Sequence, residues 1–109
     1  MKLNVYEKRK IVKTYEVDAY DLPFGVLEDV ANTIDIDSLK TGSDVEIITL
    51  IGKMVITNMD IVKNLLKDVF DGITDEELRK TTITEIAVVI LDIVKYTISQ
   101  LNLGSNSKN

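Results

Sequence analysis

Three groups of residues have the types and spacing that chemistry could use. Asp75, Glu76 and Glu77 are consecutive acids, Asp35 and Asp37 open a polar stretch, and Lys8, Arg9 and Lys10 form a basic run. Paired carboxylates can divide acid and base work only in a cleft that separates their pKa values. Asp75-Glu76-Glu77 instead follows Thr74 in a capping-box pattern, where acids face the positive end of a helix dipole. Asp35 and Asp37 begin like a calcium loop, which needs glycine at its sixth position and a bidentate glutamate at its twelfth. The sixth position here is Lys40 and the twelfth is Glu46, so an ammonium would oppose the ion and no metal is expected. The basic run reads as a solvated hairpin tip.

The chain has no histidine and no cysteine, which removes the commonest general base, the commonest metal ligand and thiolate nucleophiles. Its five glycines stand singly and form no phosphate loop. A non-enzyme without cofactor is therefore expected. The net charge of −5 opposes nucleic acid phosphate, and the few aromatics make no interleaved basic and aromatic platform. Met1 to Val5 lacks the apolar core of a signal peptide, and the apolar run Ile86–Val94 is broken by Asp92 and too short to span a bilayer. Cytoplasmic residence is expected.

These residues must be positioned by a small set of elements. At 109 residues with 45% hydrophobic content, one domain with its own core is expected over 1–103, followed by a polar tail at 104–109. Residues 3–18 read as a β-hairpin: Leu3-Asn4-Val5-Tyr6 alternates, Glu7 to Lys10 breaks the pattern, and Ile11 to Val17 is β-branched and aromatic. Ile11, Tyr15 and Val17 would share a face, with Lys13 as a misfit. No Asn-Gly or Asp-Gly marks the turn.

The helical part is expected over 21–102. Asp21-Leu22-Pro23 reads as a helix start, with Leu27, Val30, Ala31 and Ile34 on its buried stripe. Residues 35–42 read as a loop. Ser43-Asp44-Val45-Glu46 has capping-box form and favours a helix over 44–56, although its isoleucines and valines also suit a strand. Asn58 reads as the cap of a further helix with Val62, Leu65, Leu66 and Val69 inward, closed by Gly72. Thr74–Glu77 and Thr82–Glu85 are two more boxes, the second opening a terminal helix that runs to about Leu101. The fold class expected is α+β, mainly α: a hairpin followed by four to five helices in a small bundle.

With residues about 100° apart, Glu85, Asp92, Lys95, Ser99 and Asn102 form the polar stripe of the last helix. Val88 lies within that stripe, and Val89, Ile93 and Tyr96 flank it. The apolar face is more than twice as wide as an edge helix needs. Either this helix is central and surrounded, or Val88, Val89, Ile93 and Tyr96 face a partner or a second copy.

Phe70-Asp71-Gly72-Ile73-Thr74-Asp75-Glu76-Glu77-Leu78, followed by Glu85-Ile86 and a valine- and isoleucine-rich helix, resembles the tail assembly chaperones of long-tailed phages and prophages of Gram-positive bacteria. The likeness covers most of the chain in layout and about twenty residues in letters. It implies a non-enzymatic protein that binds the long, aggregation-prone tape measure protein and helps tail tube subunits assemble around it. It implies no catalytic residue. The alternative is a small acidic adaptor or inhibitor of nucleic-acid-mimic type; its acids would have to line one face, whereas these cluster at helix starts.

Overall fold

A computed structural model describes residues 1–34 and 42–106, with side chains through Gln100. The fold is α+β and mainly α: among the described residues, a two-stranded antiparallel hairpin is followed by a 3-10 turn and five α-helices. Strand β1 (Lys2–Glu7) pairs with β2 (Lys10–Glu16), Leu3 opposite Tyr15 and Val5 opposite Lys13, with a bulge between Val5 and Tyr6. Lys8 and Arg9 connect the strands with φ of 51° and 68°. Two successive left-handed residues are the signature of a type I′ turn, whose twist matches that of the strands.

Leu3 and Val5 are buried, and Tyr15 and Val17 pack against the core. Ile11 departs from the expected face: it is 55% exposed, past the bulge and beside the turn. Lys13 is no misfit. Its ammonium lies 4.6 Å from the Tyr15 ring centroid and 3.4 Å from Glu77 Oε2.

A short 3-10 turn at Ala19–Asp21 follows, where the Asp18 carboxylate accepts from the Tyr20 amide at 3.2 Å. Helix α1 (Phe24–Thr33) starts later than expected, because Asp21 belongs to that turn and Pro23 takes the cap position without a side-chain bond. Its buried stripe is Val26, Val30 and Ile34, with Leu27 half-buried and Ala31 exposed. The expected stripe is thus rotated by about one residue. Residues 35–41 of the expected loop, with the aspartates of the calcium comparison, Asp35 and Asp37, lie outside the described residues.

Helix α2 (Asp44–Thr57) is capped by Ser43, whose hydroxyl accepts from the Glu46 amide at 3.2 Å. The strand alternative for 44–56 is excluded. Ile47, Ile51 and Val55 turn inward, while Val45, Leu50 and Ile56 stay exposed. Helix α3 (Met59–Val69) buries Val62, Leu65, Leu66 and Val69 as its spacing requires. Asn58 takes the cap position between α2 and α3, but its side chain makes no cap bond. Gly72, at φ 87°, sits in the left-handed region that favours glycine. Thr74 and Glu77 form both bonds of a capping box at α4 (Asp75–Leu78).

Helix α5 (Ile83–Asn106) runs five residues beyond the expected end near Leu101. It packs on α1, α2 and β1, and buries Ala87, Val89, Ile90, Leu91, Ile93 and Val94. This helix is the centre of the fold, which accounts for its wide apolar face. Thr97, the one buried polar residue among those described, donates its hydroxyl to the Ile93 carbonyl at 2.8 Å.

Candidate functional site

The segment from Thr74 to Ile86 holds the hairpin on one side and opens a groove on the other. Its capping glutamates do the holding. Glu77 Oε1 accepts from its own cap, the Thr74 amide, at 3.1 Å, and from the Tyr15 hydroxyl at 2.6 Å. Hydrogen bonding from Tyr15, aided by the Thr74 amide and Lys13, holds the Glu77 carboxyl below the usual carboxylate range. At the start of α5, Glu85 accepts from the Thr82 hydroxyl at 2.9 Å and from the Asn4 amide at 3.3 Å. Burial works to raise the Glu85 pKa, but hydrogen bonds from Tyr6, Thr82 and Asn4 outweigh it and hold it low. The Tyr6 amide donates to the Lys80 carbonyl at 2.9 Å, and Lys80 Nζ meets Glu7 Oε1 at 2.7 Å. The free edge of β1 is thereby closed.

The groove lies between the end of α2, α3, α4 and the start of α5. It encloses about 470 Å³ and is walled by Val55, Val62, Leu66, Leu78 and Ile86. Met59 and Ile83, at 51% and 48% exposure, stand at its mouth with Lys63 and Arg79. Among the described lining residues there are two cations and no acid. Such a surface can desolvate apolar side chains and pair with carboxylates beside them.

At the other end of α5 sits an aromatic surface. Tyr20 is 82% and Phe24 75% exposed, the highest among the large apolar and aromatic side chains described. The Tyr20 and Tyr96 rings meet edge to face, centroids 5.9 Å apart at 84°.

The four residues expected to meet a partner are divided by this arrangement. Val89 and Ile93 are in the core, 1% and 0% exposed, and offer no surface to a partner. The reason is packing: the hairpin and the helices surround α5, so the flanks of its polar stripe are covered as well as its back. Val88 is exposed on the polar stripe, and Tyr96 is half-buried against Tyr20. Helical spacing along α5 missed the groove because four elements build it. By spacing, Met59 and Ile83 continue the apolar stripes of their helices, so nothing in the sequence marked them as exposed.

Among the described residues no group of acids is placed to hold a metal ion, and no helix is long and apolar enough to cross a membrane. The architecture is that of a small hairpin-and-helix domain built round one central helix. No family model, curated protein or solved structure matches the chain.

Proposed function

We propose that this chain is a non-enzymatic tail assembly chaperone of a long-tailed phage or prophage. In the bacterial host cytoplasm it binds the tape measure protein, keeps it from aggregating, and helps tail tube subunits assemble around it. The observation that supports this reading best is the apolar groove with Met59 and Ile83 at its mouth. A chaperone for a long helical protein needs a standing apolar surface that engages many similar segments weakly. An open groove with a flexible thioether at its mouth suits that work. The resemblance carried by Phe70–Leu78 points the same way, and Leu78 of that segment lines the groove.

The alternative, an acidic adaptor mimicking nucleic acid, is less well supported. Its acids would have to be arrayed on one face, but Glu7, Asp44, Asp75 and Glu77 are paired with lysines of the chain itself. The experiment is a pull-down with a tape measure protein of a long-tailed phage of Gram-positive bacteria, cut into overlapping helical fragments. Retention of apolar fragments by the wild type, and their loss with Met59→Asp, is the expected result. Equal retention by both proteins would remove the groove from the account.

A further inference from the structure

Tyr20, Phe24 and Tyr96 lie away from the groove and take no part in the proposed activity. A single exposed aromatic side chain is ordinary on a small domain. Here two of them stand more than 70% exposed within four residues of each other, and one is braced. The Asp18 carboxylate fixes the Tyr20 amide, and the Tyr96 ring supports the Tyr20 ring from α5. Phe24 is the first residue of α1, directly after Pro23, whose fixed φ limits how the chain can move there. Beside Phe24 is an apolar depression of about 300 Å³, walled by Leu27, Ala31 and Thr97, with Glu28 at its edge. On the near side of Tyr20, Glu16, Asp18 and Asp21 line a second, polar depression of about 490 Å³. No lysine or arginine lines either depression among the described residues; Met1 also lines the polar one, its amino group donating to the Val17 carbonyl at 2.7 Å.

We propose that Tyr20, Phe24 and Tyr96, edged by Asp18, Asp21 and Glu28, form a second docking surface for a protein segment that carries arginine or lysine beside apolar side chains. Charge complementarity selects that occupant. The faces of Tyr20 and Phe24 attract cations through the ring quadrupole, and the carboxylates around them pair with the same cations. The neighbouring depression takes an apolar side chain of the segment against Leu27 and Ala31. Rigid aromatics lose little conformational entropy on binding, which is why tyrosine is common among residues that dominate interfaces. The charge preference is opposite to that of the groove, where Lys63 and Arg79 stand, so the two surfaces select different segments. This goes beyond the chaperone reading and does not depend on it.

The test uses the full chain and two short labelled peptides made of leucine and alanine with either arginine or glutamate at the same positions, measured by fluorescence anisotropy. Saturable binding of the arginine peptide, weakening with added salt, is expected; binding of the glutamate peptide, whose charge suits the groove, should be weakened by Met59→Ser and unaffected by Tyr20→Ser. Tyr20→Ser and Phe24→Ser should each weaken the arginine peptide by about tenfold, as for residues that dominate an interface. Phe24→Leu should keep part of the affinity, and circular dichroism melts should show all variants folded. Met59→Ser should leave it unchanged. Glu28→Lys should weaken it several times more than Glu76→Lys, a control on α4. Equal losses from those two charge reversals would mean diffuse attraction to an acidic protein and overturn the proposal. So would a loss with Met59→Ser, an unchanged affinity in Tyr20→Ser and Phe24→Ser, or no saturable binding of the arginine peptide.

Discussion

Glu77 and Glu85 each serve two structures at once. Glu77 completes a capping box at the start of α4, Glu85 gives its amide to the Thr82 hydroxyl at the start of α5, and as acceptors for Tyr15 and for the Asn4 amide the two fasten the hairpin to the helices. Both carboxyls sit below their ordinary value of 4.5 in the folded chain. A depressed carboxylate pKa stabilises the fold above the unfolded value, and that contribution is lost as pH falls through the folded value. The melting temperature should therefore hold steady from neutral pH to about 5 and drop below about 4.5. Glu77→Gln should lower it at neutral pH and flatten the drop. An equally steep acid limb in Glu77→Gln, measured by melts across roughly pH 3–7 on the ordinary carboxylate scale, would mean that other acids set the profile. The capping half of this was legible in the letters T-D-E-E and T-I-T-E. The fastening half was not, because its partners lie 62 and 81 residues away and no local spacing points to them.

At the scale of elements, the hairpin turn and the central helix carry opposite lessons. Lys8 and Arg9 occupy left-handed conformations that cost a side-chain-bearing residue roughly 1–2 kcal/mol each. Asparagine followed by glycine is the pair that such a turn favours, so the double substitution Lys8→Asn with Arg9→Gly should stabilise the domain by about 1 kcal/mol in chemical denaturation. The strands were readable from their alternation, but the turn was not, since nothing in a lysine followed by an arginine announces two positive φ values. For α5 the excess apolar width was visible in the sequence, and the choice between core and surface was not. Periodicity counts apolar faces, whereas the neighbours decide which of them are covered. The same limit shifted α1, where Val26 and Leu27 both fit a helical stripe and packing chose Val26. With Ile93 fully enclosed, Ile93→Ala should cost about 2–5 kcal/mol in unfolding free energy. Ile93→Lys should unfold the domain rather than yield a folded monomer, because a lone ammonium would be buried in the core.

At the scale of the whole molecule, the central helix separates two surfaces of unlike character. The groove near its start is apolar with cations, and the patch toward its other end is aromatic with acids. On the two proposals made above, the domain engages an apolar segment with acids at one surface and an apolar segment with cations at the other. The Lys80 carbonyl and the Glu85 carboxylate close the outer edge of β1.

The central claim, that the groove shields apolar segments of a tape measure protein, is tested most directly by co-expression with that protein and measurement of its soluble fraction. Wild-type chain should raise the soluble fraction well above that of the tape measure protein alone. Met59→Asp combined with Ile83→Asp should abolish the gain while melting close to wild type, since both positions are about half exposed. A tape measure protein that stays insoluble beside the wild type, or that is rescued equally by the double variant, would contradict the account.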